Sequence, residues 1–208
     1  MTLYVPPHFR EDDPQALYRF IEEHAFATLV SAGPAGLHVS HVPFLPERGE
    51  DGRVRLLAHV ARANPHWQAL EQAEHVVAIF HGPHAYVSPT WYSAHPAVPT
   101  WNYAVVHAHG RAKLLEEPEL HDLLLRLSSG YEAPNTPPWK MSALPADFTT
   151  SMLGAIVGFA IEVERLEGKF KLSQNRPADA AHVADVLESH GEAELATLMR
   201  ANLPTSKV

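Results

Sequence analysis

The chain has 208 residues, 46% of them hydrophobic, with 24 acidic and 16 basic residues, 15 histidines, no cysteine and a formal net charge of -8. That length supports a full core within one domain, and the missing cysteine excludes disulfides, thiolate metal sites and thiol catalysis. No apolar run approaches the roughly 18 residues of a membrane span, and the acidic balance repels a polyanion unless bases gather on one face.

The opening MTLYVPPHFRED lacks a basic region followed by an apolar run, so a cytoplasmic protein is expected, neither secreted nor inserted in a membrane. Asp13 followed by Pro14 marks a helix start, and Leu17, Phe20, Ile21 and His24 then recur at helical spacing. Phe26 to Ala32, the turn GPAG and Leu37 to Leu45 read as a hairpin, because β-branched and apolar runs flank a Gly/Pro break. A turn at PERGEDG leads into a third strand ending near residue 61. Asn64 and Pro65 start a short helix, with Asn as the cap and Pro where its missing N–H costs nothing.

HVVAIFHG and AYVSP follow as extended segments, and VPTWNYAVVHAHGRAKLL alternates over its second half. A helix is expected from about Glu117 to Ser129. The proline-rich APNTPPWKMSALP reads as a loop in which Trp139 and Met141 are available to bury. AIVGFAIEVERLEG returns to strand character, and the tail from about residue 177 forms two helical segments separated by Gly191. Sequential strands with few crossover helices predict a mainly β, α+β fold, a single domain over residues 1–208, in which about six short antiparallel strands close on themselves.

Three segments carry the candidate chemistry. In HVARANPHW a strand ends, Arg62 stands in the turn and a capped helix begins at Asn64, an arrangement that suits a phosphate; the same residues also read as a plain helix cap beside a solvated arginine. GPHAYVSPTWY and VPTWNY set Tyr86, Trp91, Tyr92, Trp101 and Tyr103 among Ser88, Thr90, Thr100 and Asn102. Such a mixture of aromatic walls and polar groups suits a planar heterocycle or, equally, an aromatic core cluster. GKFKLSQNRP brings Lys169, Lys171, Gln174, Asn175 and Arg176 into one donor-rich run, as a ligand site or a solvated strand end would.

HVARANPHW, GPHAYVSPTWY, VPTWNY and KLSQNR, in that order and spacing, resemble the characteristic segments of the PaiB family. These are FMN-binding proteins described as negative transcriptional regulators and related to the pyridoxamine-phosphate-oxidase-like split barrels. The resemblance runs from YVPPHFRE to KLSQNRP. It implies an antiparallel split β-barrel and a homodimer with FMN between subunits. Arg62 and Asn64 would be at the phosphate, Ser88, Trp91, Tyr92, Thr100, Trp101 and Asn102 on the ring or partner side, and Lys171 and Gln174 in polar contacts.

His107 and His109 lie two apart on an alternating strand and share a face. Without a thiolate or a carboxylate at ligand spacing, no metal site is expected. HEXXH, GXSXG, Walker and GXGXXG motifs are absent, which leaves no hydrolytic or nucleotide-triphosphatase reading and no assigned catalytic residue. Three functions stay open: a flavin-dependent regulator, an FMN-dependent oxidoreductase and a heme-handling barrel. The phosphate-like turn favours FMN over heme. The helix PADAAHVADVLESH carries acids and no lysine or arginine, so direct DNA reading is not expected.

Overall fold

The structure, a computed structural model, describes residues 3–33 and 36–203. Its eight antiparallel strands are β1 (Arg10–Glu11), β2 (Phe26–Gly33), β3 (Gly36–Pro43), β4 (Leu45–Arg48), β5 (Val54–Ala61), β6 (Val76–Val87), β7 (Thr100–Leu114) and β8 (Ile156–Lys171). They run in the order β3-β2-β6-β7-β8-β5-β4, with β1 paired to β8. The helices are α1 (Pro14–Glu23), α2 (His66–Gln72), α3 (Glu117–Glu132), α4 (Ala146–Gly154), α5 (Pro177–Ser189) and α6 (Ala193–Ala201). This is the mainly β fold with peripheral helices that the alternating runs predict.

Two strands exceed the sequence expectation. β4 begins where a turn was read, and its Pro46 is tolerated because β4 ends the sheet order and pairs on one side only, with β5. β1 is two residues long and too short to leave a periodic signal. The β2–β3 hairpin keeps its register to Gly33 opposite Gly36, while the turn residues Pro34 and Ala35 lie outside the described residues. HVVAIFHG and AYVSP are one strand, β6.

Residues cluster into two compact units: Met1–Phe20, His81–His107 and Glu167–Val208 form unit 1, and Ile21–Phe80 with Ala108–Leu166 form unit 2. In unit 2 the leucine stripe of α3, with Leu120, Leu123 and Leu127 inward, meets Leu57, Leu153 and Ala160, and Phe44 packs its ring against Phe80 and Phe159. Gly110 is required there, because a Cβ would lie 2.1 Å from the carbonyl oxygen of Glu162.

In unit 1, Asp13 Oδ1 accepts the Gln15 N–H at 3.0 Å, capping α1 as the Asp-Pro pair predicts. α5 ends at Gly191, whose φ of 91° lets the Glu192 N–H return to the Leu187 carbonyl and starts α6 against α5. Val183, Leu187, Leu195 and Met199 are buried on these two helices.

Trp139 is a correction: it is 47% exposed rather than a buried anchor. α3 runs on to Glu132, whose carboxylate accepts from the Trp139 N–H and from Asn135. Polar staples therefore hold this proline-rich loop. Among the described residues no helix is long and apolar enough to cross a membrane.

Candidate functional site

The predicted site residues divide between the two units. Arg62 and Asn64 belong to unit 2; Ser88, Trp91, Tyr92, Thr100, Trp101, Asn102, Lys171 and Gln174 belong to unit 1.

In unit 2 the chain leaves β5 at Ala61, and Arg62 turns back on the α4–β8 junction. Its Nε donates to the Gly154 carbonyl at 2.6 Å and its Nη2 to the Ile156 carbonyl at 2.9 Å, while its backbone carbonyl accepts from Trp67 Nε1 at 3.0 Å. A guanidinium has five N–H groups, so three remain for an anion. Arg62 lines a cavity of about 350 Å³ with Trp67, Glu117, Thr150 and Leu153.

Asn64 Oδ1 accepts the His66 N–H at 3.0 Å, the bond of a helix cap, and its Nδ2 donates to Ser40 Oγ at 3.1 Å. The first free N–H of α2 is therefore spent on the cap. An anion at this turn depends on the spare donors of Arg62.

His66 is the residue that sequence reasoning passed over. It is 1% exposed, and both ring nitrogens meet serines, Nε2 with Ser31 Oγ at 3.0 Å and Nδ1 with Ser40 Oγ at 2.8 Å. A neutral imidazole donates through one nitrogen and accepts at the other, which matches two hydroxyls. Burial, with the charge of His38 second, pushes its pKa down to about 4. Ser31 and Ser40 lie on β2 and β3, so the ring ties α2 to that hairpin. Its position directly after a cap was the available signal.

In unit 1, Lys171 at the end of β8 gathers the start of β7. Its Nζ donates to Thr100 Oγ1 and to the Trp101 carbonyl, each at 2.5 Å, and lies 5.7 Å from the centre of the Phe9 ring. Both acceptors are neutral. Burial, then the like charge of Lys169, pushes the ammonium pKa down, and one of its three donors remains.

Asn102, 1% exposed, donates from Nδ2 to Ser173 Oγ at 2.8 Å, and its buried Oδ1 has no partner. Ser173 holds a φ of 68°, a strained conformation for a non-glycine residue. Gln174 is turned inward on its own strand end: Nε2 donates to the Phe170 carbonyl and Oε1 accepts the Leu172 N–H.

Ser88 Oγ accepts the Thr90 N–H at 3.2 Å and caps a 3-10 turn over Pro89–Trp91. The Trp91 ring centre is 5.5 Å from that of His190, and Tyr92 lies under Arg176 at 4.1 Å. Arg176 of the donor-rich run forms a second cluster with Asp179 and Ser93, two residues that the sequence reading did not single out. Asp179 Oδ1 accepts from the Ser93 N–H and hydroxyl, which holds its carboxyl below the usual carboxylate range.

The structure thus brings Thr100, Trp101 and Lys171 into direct contact. Trp91 and Tyr92 have separate partners, and Trp101 is 54% exposed with Tyr86 edge-on at 6.1 Å between ring centres.

An FMN molecule asks such residues for an aromatic wall, an acceptor for its ring N–H, donors for its ring carbonyls and cations for its phosphate. In unit 1, Trp101 and Tyr86 supply the first, the orphaned Oδ1 of Asn102 is an acceptor in want of a donor, and Lys171 keeps an unused donor; in unit 2, Arg62 keeps donors of its own. The residues of unit 1 fit that group.

Comparison with known proteins agrees. A family model described as "Putative FMN-binding domain" matches residues 3–165. The chain is 35% identical over 205 residues to Protease synthase and sporulation protein PAI 2 of Bacillus subtilis (strain 168), covering 97% of this chain and 98% of that protein.

Two solved structures share the fold. The flavocytochrome Anf3 of Azotobacter vinelandii has a TM-score of 0.58 at 15% identity, covering 80% of this chain and 72% of that one. The FAD and heme binding protein of Mycobacterium smegmatis has a TM-score of 0.55 at 15% identity, covering 78% and 73%.

Proposed function

This chain belongs to the FMN-binding family of the PaiB type, and on that premise we propose that it works as a homodimer whose bound FMN serves a regulatory role. The observation that carries the reading is Lys171, an ammonium held by two neutral oxygens, in the same unit as the orphaned acceptor of Asn102. Arg62 would meet the phosphate with its spare donors, and Asn64, whose side chain caps α2 and bonds Ser40, would shape the turn that presents it. Trp101 and Asn102, with Ser88, Trp91, Tyr92 and Thr100, serve the ring or the partner side, and Lys171 and Gln174 make polar contacts. FMN supplies a reversible carrier of one or two electrons when bound; the protein's part is to anchor, orient and tune it.

Self-association is supported by the outer face of the β2–β3 hairpin. Register pairs Val30 with Val39 and Ala32 with Leu37, which puts all four on one face, and Phe26, Leu37 and Val39 are exposed. A face apolar apart from the Thr28–His41 pair and free of carboxylates suits association of two copies that each carry -8.

Regulation acts through a metabolite or a protein partner rather than a major groove. α5 carries Asp179, Asp185 and Glu188 and no lysine or arginine, and Arg200 on α6 is paired with both Asp185 and Glu188. Direct readout of DNA needs free cations on one helix face. A mobility-shift experiment at low salt is expected to show no retention of DNA by the FMN-loaded protein; retention overturns this route. The second reading, an FMN-dependent oxidoreductase, is favoured by the exposure of Trp101, and steady oxidation of reduced nicotinamide by the FMN-loaded protein identifies it.

A further inference from the structure

Unit 1 has a groove of about 470 Å³ on β6 and β7, lined chiefly by His81, His84, Trp101, Tyr103, Val105 and His107. That volume lies within the range of small-molecule sites. Trp101, Tyr103, Val105 and His107 alternate along β7 and share its open face, and the Trp101 ring is flanked by His84 at 6.4 Å and Tyr86 at 6.1 Å between centres.

Its electrostatics depart from those of the chain. Residues 81–107 contain no Asp, Glu, Lys or Arg, so the groove is lined without a carboxylate in a protein of net charge -8. Two cations of β8 stand at its aromatic residues. Lys169 Nζ lies 5.4 Å from the centre of the Tyr103 ring and 5.4 Å from that of Tyr4, and Lys171 Nζ holds the Trp101 carbonyl.

Among the described residues neither ammonium has a carboxylate partner, and the two stand two positions apart on one face of β8. Glu167, two positions before Lys169, does not line the groove, but the structure brings its carboxylate within 4.8 Å of ring nitrogens of His107 and His109, a carboxylate that sequence spacing did not place near this histidine pair. Like charges held together without an anion raise the energy of the free protein, and a bound anion lowers it.

We propose that this groove binds a planar aromatic carboxylate in addition to the flavin, with the ring against Tyr103 and His84 and the carboxylate drawn by Lys169. Two aromatic walls select a flat ring over an aliphatic chain, and the uncompensated ammonium selects an anion over a neutral isostere. The inference rests on the flavin reading only for the ligand's role, as the small molecule that meets or signals to the bound flavin. The chemistry of the groove stands without it.

The test is calorimetric titration of the full-length, FMN-loaded protein with 2-naphthoate and, in parallel, with the neutral 2-naphthalenemethanol. The expected result is saturable binding of the carboxylate about tenfold tighter than the alcohol, with the flavin absorbance retained throughout. Lys169→Met removes that preference and Lys169→Arg keeps it, while both variants hold FMN as the parent does. His84→Ala weakens both ligands without changing their ratio.

Binding of the two compounds with equal affinity, no binding of naphthoate to yellow protein, or stoichiometric release of FMN by naphthoate overturns the proposal. A protein that refuses FMN yet binds naphthoate with the Lys169 dependence sinks the flavin reading and upholds the groove.

Discussion

Arg62 donates through Nε to the carbonyl oxygen of Gly154 at 2.6 Å, joining two residues 92 positions apart. With the second bond to Ile156, the guanidinium closes the turn after β5 onto the entry of β8. An arginine picked out as an anion ligand therefore has a structural task as well.

Replacing Arg62 tests both tasks. Arg62→Ala loses two charge-assisted bonds at an exposed position, a cost of about 1–2 kcal/mol, and also weakens FMN if the spare donors meet the phosphate. Arg62→Lys carries charge without the planar fork, so it restores part of the FMN affinity and little of the stability. Thermal melting and FMN titration of the two variants separate the contributions. Unchanged FMN affinity in Arg62→Ala removes Arg62 from the site.

Acid stability should follow His66. Burial, with His38 second, pushes its pKa down to about 4 in the fold, against about 6.5 in an unfolded chain. Between those values the unfolded chain takes a proton that the folded chain refuses. The contribution of His66 is therefore complete above pH 6.5 and is lost as pH falls toward 4, by an amount on the order of 3 kcal/mol. Urea unfolding between pH 4 and 8 should give a flatter profile for His66→Gln than for the parent; parallel profiles contradict this role.

Self-association is expected to depend on the outer face of β3. The pair Leu37→Lys with Val39→Lys puts two cations on an exposed apolar face and should convert dimer to monomer in sedimentation with little loss of secondary structure. A dimer that survives both changes places the interface elsewhere.

A close backbone approach gives a fold-level test. At Gly110 a methyl group would lie 2.1 Å from the Glu162 carbonyl oxygen and 3.0 Å from Ile161 Cγ2, and backbone cannot step aside as a side-chain tip can. Gly110→Ala is expected to cost about 3 kcal/mol by denaturant unfolding; a change below about 1 kcal/mol shows that the strands relax.

Much of this was legible in the residues. The Asp13–Pro14 cap, the two tail helices broken at Gly191 and the leucine stripe of α3 each announce themselves, because capping and periodicity are local. β4 is hidden in PERGEDG, whose residues carry a turn signal, and only pairing at the end of the sheet makes Pro46 acceptable in a strand. The exposure of Trp139 is not legible in the sequence, because hydrophobicity alone cannot foresee that Glu132 holds the loop by polar bonds.

At the candidate site, residue types were readable and their partners were not. Nothing local in KLSQNR distinguishes Lys171, which reaches across to Thr100, from Gln174, which folds back on Phe170. The part played by His66 depends on Ser31 and Ser40, which lie 35 and 26 positions earlier, beyond the reach of any short motif.

The most direct test of the account is a paired titration of the purified protein with FMN and riboflavin, for the parent and for Lys171→Met. The account predicts one FMN per chain, affinity for FMN about a hundredfold above that for riboflavin from the charged phosphate contacts, and roughly tenfold weaker FMN binding in Lys171→Met. Equal affinity for FMN and riboflavin, or FMN binding indifferent to Lys171, would contradict it.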